Sequence, residues 1–453
     1  MTTDIAPAAE TARIDALQAV LDTGSIIKAT RMLNALHPAE VAHLLQSLPP
    51  RQRELVWGMV ADSIEGEVLL YLNDDLRDEL LRGMSSSRIL AAVEGLDTDD
   101  LADLMRDLPA TITGEVLSSL DVQRRERLET ALGYPQDSAG GLMNTDVVTV
   151  RPEVTLDVVM RYLRRFKDGL PNITDKLIVV NRQGRYLGVL YLTDLLTNDL
   201  DDSVAEVMSL DVQPIAATLR ASDVANRFEQ LDLVSAPVVD EDGRVLGRIT
   251  VDDVMDVIRE EAEHQLMGQA GLSETDDMFA PVLLSARRRA LWLGVNLLTA
   301  FLASWVIGQF EATIQQVVAL AVLMPVVASM GGIAGTQTLT LAIRGIALGQ
   351  LSAKNMRWLL AKEMAVSLIN SAIWAVVVAL VAYAWFGSID IALIIGVAIT
   401  VNLLAATFSG ALLPLLLRRL GIDPALAGGV ILTTVTDVVG FVAFLGLATL
   451  LLM

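Results

Sequence analysis

Ala425-Leu-Ala-Gly-Gly-Val-Ile-Leu-Thr-Thr-Val-Thr-Asp437-Val-Val-Gly440 opens a stretch that continues to Met453 with one ionisable side chain, Asp437, near its middle. The stretch is longer than the ~20 residues needed to cross a ~30 Å hydrocarbon layer as a helix, so it predicts a membrane span. A carboxylate at that depth costs about 3 kcal/mol on insertion scales; it normally faces a bundle interior or a wet cavity and marks an ion or proton path. The competing reading is a protonated acid bonded to a neighbouring helix. Thr433, Thr434 and Thr436 add hydroxyl oxygens beside it. Threonines in membrane helices also satisfy their own backbone, and that reading stays open.

Upstream lie four more apolar stretches, at about 288–309, 314–342, 358–386 and 390–417. Arg287, Arg288, Arg289, Arg344, Lys354, Arg357, Lys362, Arg418 and Arg419 all fall on one side of this set, and the opposite loops hold Glu311 and Asp390. The bias places the N-terminus inside and the C-terminus outside. The second stretch reads Leu323-Met-Pro325-Val-Val-Ala-Ser-Met-Gly331-Gly332-Ile-Ala-Gly335-Thr-Gln337. Pro325 is expected to interrupt the helix, and the glycines to line a pore with exposed backbone; Gly331 to Gly335 also fits a tight helix crossing. Asp423-Pro424 opens the last span, where an acid favours a helix N-terminus whether or not it meets an ion.

The 453 residues carry 34 basic and 55 acidic side chains, a formal charge of −21. From Thr275 onward there are nine basic and seven acidic residues, so residues 1–274 carry −23. Such acidity disfavours nucleic acid, whose phosphates need Lys and Arg, and suits cations. Cysteine is absent and histidine is limited to His37, His43 and His264, which argues against disulfide frameworks and Cys/His zinc sites. The opening residues show no basic and apolar leader, so the acidic part is expected in the cytoplasm.

Val179–Asp194 recurs at Val238–Asp253, offset by 59: two strands joined by a tight turn at Gly184 or Gly243, then an acidic helix start. This resembles a pair of cystathionine-beta-synthase (CBS) domains, β-α-β-β-α modules that often sense nucleotides or ions. Before it, Leu36-His37-Pro38 to Leu48-Pro49 aligns with Leu96-Asp97-Thr98 to Leu108-Pro109 at an offset of 60, which predicts a stack of short helices. Asp99 and Asp103 lie at i, i+4 and repel each other unless a cation intervenes. After the pair, Val251–Glu263 reads as an amphipathic helix with Asp253, Asp256, Glu260 and Glu263 in one stripe, either a cation sensor or a solvated connector.

The expected architecture is multidomain: an all-α superhelical N domain, an α/β tandem CBS pair, a connecting helix and an α-helical membrane domain with five transmembrane helices. The expected limits are a disordered tail at 1–14, an acidic N domain at 15–137, CBS domains at 138–200 and 201–258, a connecting helix and linker at 251–286, and the membrane domain at 287–453.

In that order these parts resemble the MgtE family of magnesium channels and transporters. The resemblance rests on Pro325 with Gly331-Gly332-x-x-Gly335-x-Gln337, on Asp423-Pro424-Ala425-Leu426, and on Thr434-x-Thr436-Asp437-Val438. It implies a homodimer in the cell (inner) membrane, with a pore on the two-fold axis where Asp437 meets hydrated Mg²⁺. It implies pore-lining roles for Pro325, Gly331, Gly332, Gly335, Gln337, Thr434 and Thr436. It further implies that cytosolic Mg²⁺ closes the pore by binding Asp99, Asp103, Asp253, Asp256, Glu261 and Asp423. The chain departs from the family at Ile333, where Asn is commoner, and at His264 and Gln265, where relatives have acids.

The chemistry suits Mg²⁺, which keeps its waters and binds few carboxylates; Ca²⁺, Mn²⁺ or Co²⁺ use the same oxygens. The alternatives are a proton-coupled or exporting divalent-cation (Mg²⁺/Co²⁺) transporter and a membrane-anchored, nucleotide-sensing CBS protein. An adenine nucleotide such as ATP at the CBS cleft stays open. No His/Cys cluster, G-x-S-x-G elbow or P-loop points to an enzyme.

Overall fold

The computed structural model describes residues 19–20, 25–108, 110–167, 170–171, 173–273, 277–351 and 354–453. The tail expected at 1–14 lies outside the described residues. The chain divides into two compact units, one of residues 1–260 with 275–280 and one of 261–274 with 281–453.

From Ile26 to Leu132 the described residues of the first unit form nine short helices: α1 (Ile26–Leu33), α2 (Pro38–Gln46), α3 (Pro50–Trp57), α4 (Glu65–Leu70), α5 (Asp74–Gly83), α6 (Ser86–Val93), α7 (Thr98–Asp107), α8 (Ala110–Ser119) and α9 (Val122–Leu132). Their starts are written locally. Pro38 and Pro50 occupy first-turn positions, where the missing N–H costs nothing. The side chains of Asn73, Ser85 and Asp121 cap the helices that follow them. His37 caps α2 in a reciprocal box with Glu40, which gives this histidine a structural task. The 60-residue repeat is visible in the paired starts of α2 and α7. One continuous core joins these helices, including Leu45, Val68, Leu76, Ile89, Leu101 and Leu128.

Two equivalent α/β modules follow. The first contains α10 (Ala139–Leu142), β1 (Thr149–Val150), α11 (Leu156–Arg165), β2 (Lys176–Val180), β3 (Tyr186–Tyr191) and α12 (Leu192–Thr197). The second contains α13 (Val204–Val207), β4 (Ile215–Ala216), α14 (Ala221–Leu231), β5 (Ser235–Val239) and β6 (Val245–Thr250). In each sheet the short strand runs parallel to the middle one, which pairs antiparallel with the third. The hairpin turns need Gly184 and Gly243, at φ 78° and 76°. The turns pair with each other, Tyr186 N donating to Gly243 O and Val245 N to Gly184 O. This joins the repeats about their own pseudosymmetry.

Helix α15 (Val251–Gly268) begins in the first unit and ends in the second. The second unit then holds α16 (Val282–Gly308), α17 (Glu311–Gln316), α18 (Ala319–Ala347), α19 (Met356–Phe386), α20 (Ile389–Arg419) and α21 (Pro424–Leu452). Five of these are long and apolar enough to span a membrane. The first begins six residues before the expected start, and the second is displaced because 311–316 form a helix of their own. Pro325 does not interrupt α18, which is helical throughout. Proline there removes one N–H from the ladder without ending a helix that its neighbours hold. Helix α20 is the most buried of the five, packed against α18, α19 and α21.

Candidate functional site

The acids singled out in the first unit gather where α7 and α15 begin. Thr98 Oγ1 donates to Asp146 Oδ2 at 2.8 Å, Asn144 Nδ2 donates to Asp99 Oδ1 at 3.1 Å, and Arg127 pairs with the other oxygen of Asp146. These bonds fix the first turn of α7 to the 144–146 segment. At α15, Thr250 N and Oγ1 donate to Asp253 Oδ2 at 3.0 and 2.9 Å, so Asp253 is oriented by its own helix start.

Burial, with the neighbouring Asp253 and Asp100 carboxylates, holds Asp99 well above the usual carboxylate range. Burial, then Asp253 and Asp97, pushes Asp100 up to about 7. Asp253 also rises to about 7, mainly through burial and against the hydrogen bonds from Thr250. A divalent cation would relieve this repulsion. Asp103 and Asp256 have partial counterions already, Arg106 at 3.8 Å and Arg259 at 3.1 Å. No three acidic or histidine side chains among the described residues converge as a ready-made ligand set.

The sequence named Asp99, Asp103, Asp253 and Asp256 together with Glu261 and Asp423, but the last two belong to the second unit. Glu261 accepts from Gln265 Nε2 at 3.0 Å. Asp423 caps α21, accepting from Ala425 N through Oδ1 at 2.9 Å, and its Oδ2 lies 2.6 Å from His264 Nε2. The end of α15 is thus tied to the start of α21. Asp100 was missed as part of the first-unit cluster; its signal was the run of acids Asp97, Asp99 and Asp100.

Within the membrane helices, Asp437 is half-buried midway along α21 and has no hydrogen-bond or ion-pair partner among the described residues. Thr434 donates to Val430 O at 2.8 Å and fully buried Thr436 to Thr433 O at 3.0 Å, so both hydroxyl protons are used by their own helix. Gly331 and Gly335 lie inside helix contacts, against Asn402 and Leu432 respectively. Gly332 has open space where a side chain would be, and Pro325 and Gln337 are exposed. With Ser329, Thr336 and Thr340 these form an exposed, partly polar face on α18. The recurrence of those residues at helical spacing was the signal the sequence offered for that face. Polar groups at bilayer depth call for water or protein opposite them.

Comparison with known proteins follows this division. Residues 36–137 match the MgtE intracellular N domain, 139–201 and 204–260 the CBS domain, and 324–447 the MgtE divalent cation transporter family. The chain is 33% identical over 443 residues to the magnesium transporter MgtE of Thermus thermophilus, covering 96% of this chain and 98% of that one. It is 28% identical over 432 residues to the magnesium transporter MgtE of Bacillus subtilis, with 95% of each covered. Among solved structures, the cytosolic domain of the Mg²⁺ channel MgtE in complex with ATP is 33% identical, covers 54% of this chain and 99% of its own, and superposes with a TM-score of 0.49. The soluble part of a magnesium transporter is 25% identical, covers 56% and 99%, and has a TM-score of 0.47.

Proposed function

Because the chain belongs to the MgtE family of divalent cation transporters, we propose that it carries Mg²⁺ across a cell membrane past Asp437, in a homodimer whose pore closes when cytosolic Mg²⁺ rises. The observation that carries the reading is Asp437 itself, an acid in mid-span with no hydrogen-bond or ion-pair partner among the described residues. A carboxylate in hydrocarbon is retained where it meets water, a cation or a second subunit. The exposed polar face of α18, with Gly332 and Gln337, supplies backbone and amide oxygen for the same path. Mg²⁺ sheds water reluctantly, so one carboxylate from each of two subunits, acting on a hydrated ion, is a sufficient anchor.

The regulatory part of the reading rests on the crowded acids at the starts of α7 and α15. If the compact arrangement of these acids binds Mg²⁺ more tightly than an open one, rising Mg²⁺ populates it. Asp103, Asp256, Glu261 and Asp423 are assigned to the same response. The arginines and lysines around the spans support an inner-membrane orientation with the soluble domains cytoplasmic and the C-terminus outside. The domain limits given above stand as our division of the chain, and an adenine nucleotide at the CBS pair is an accessory to this reading. The test is growth of cells lacking their own Mg²⁺ uptake. Wild-type protein restores growth at low Mg²⁺ and Asp437→Asn does not; restoration by both would overturn the assignment.

A further inference from the structure

Asn402, in the middle of α20, is 1% exposed. Its Nδ2 donates to Val327 O of α18 at 2.8 Å, and its Oδ1 is buried with no hydrogen-bond partner among the described residues. The amide occupies a place where two other helices have no side chain. A methyl group at Gly331 of α18 would lie 2.2 Å from Nδ2, and one at Gly440 of α21 would lie 2.7 Å from it. Both approaches are far inside contact distance. Gly440 is three residues, nearly one turn, beyond Asp437 on the same helix.

We propose that Asn402 is a positioning residue for the cation path: its amide, wedged between Gly331 and Gly440, sets the gap between α18 and α21 and hence the distance of the Asp437 carboxylate from the polar face of α18. The inference rests on the proposed role of Asp437 and deepens it. Small residues let membrane helices approach, and an asparagine between them holds the approach at a fixed separation through its backbone hydrogen bond. An apolar residue would fill the space without fixing the register, because it makes no directional bond to Val327 O.

The test is a double-mutant cycle in the full-length chain, reconstituted in liposomes, reading Mg²⁺ influx and the ratio of Ca²⁺ to Mg²⁺ influx. Gly331→Ala drives a methyl into the amide and lowers Mg²⁺ influx at least about tenfold. Asn402→Ala changes the Ca²⁺/Mg²⁺ ratio by at least about threefold, and the double variant Gly331→Ala/Asn402→Ala recovers to within about threefold of wild-type influx. Independent effects in the double variant, or an unchanged ratio in Asn402→Ala, overturn the proposal. If Asn402→Ala does not reach the membrane, Gly440→Ala crowds the same amide from α21, and an unchanged ratio there overturns it equally. Asp437→Asn is measured alongside. If it abolishes influx while the cycle shows independence, the positioning role fails and the path stands; if it leaves influx intact, the path and the positioning role fail together.

Discussion

Arg53 and Asp277, 224 residues apart, form a buried bidentate ion pair, with Nη1 to Oδ2 at 2.8 Å and Nη2 to Oδ1 at 3.2 Å. The side chains are 2% and 4% exposed. Arg53 Nε donates to Leu45 O at 2.9 Å, and the guanidinium lies 6.0 Å from the centre of the Phe279 ring. The four residues Asp277–Ala280, which precede α16 in the chain, thereby belong to the first unit.

Removing one partner leaves a buried charge uncompensated, which costs about 3–5 kcal/mol. Asp277→Ala is therefore expected to lower the unfolding midpoint of the first unit markedly. Arg53→Met/Asp277→Leu should recover most of the loss, because an apolar pair of similar volume avoids the desolvation penalty. Thermal or urea unfolding of the three proteins checks this; equal stability of Asp277→Ala and wild type would contradict it.

The acids at α7 and α15 give a pH prediction. Burial and mutual repulsion raise Asp99, Asp100 and Asp253, the last two to about 7. The folded protein therefore binds more protons than the unfolded chain between the ordinary aspartate pKa and about 7, so stability falls as pH rises through that window. Without Mg²⁺ the melting temperature should drop by several degrees from about pH 5 to about pH 8. Under the proposed Mg²⁺ binding to these carboxylates, the metal competes with protons, so the increment it gives should grow over the same range. Asp100→Asn should raise the metal-free midpoint and shrink the increment. A Mg²⁺ increment independent of pH would contradict the assignment.

His264 and Asp423 give a prediction about closure. Their 2.6 Å contact joins the end of α15 to the cap of α21. If that junction belongs to the closed form, His264→Ala removes about 1 kcal/mol of support, a conservative value for a partly exposed charge-assisted bond. The cytosolic Mg²⁺ needed to halve the flux should then rise about fivefold. The check is flux titrated against Mg²⁺ on the cytoplasmic face, and an unchanged midpoint would separate this contact from gating.

Much of this arrangement could be read from the sequence because it is written in local pattern. Length and apolarity gave the five spans, and the offsets of 59 and 60 residues gave the paired modules and the repeated helix starts. The second span was displaced because the apolar run does not show that residues 311–316 form a separate helix. Pro325 was misjudged because neighbouring helices sustain a ladder that proline alone would weaken. The acid cluster was half legible. Asp99 and Asp253 stood out, but the bonds from Asn144 and Thr250 that orient them depend on tertiary contacts. Asn402 and Arg53 were invisible for the same reason. Nothing near Asn402 in sequence announces Gly331 or Gly440, and nothing near Arg53 announces Asp277.

A cation path at Asp437 is tested by Mg²⁺ influx into liposomes containing the purified protein, read by a trapped indicator with no pH gradient imposed. Wild-type protein should carry Mg²⁺ down its gradient, and Asp437→Asn should reduce the rate at least about tenfold, as loss of the only mid-span carboxylate on α21 requires. Equal influx through both proteins, or none through wild type at any Mg²⁺ concentration on the cytoplasmic face, would contradict it.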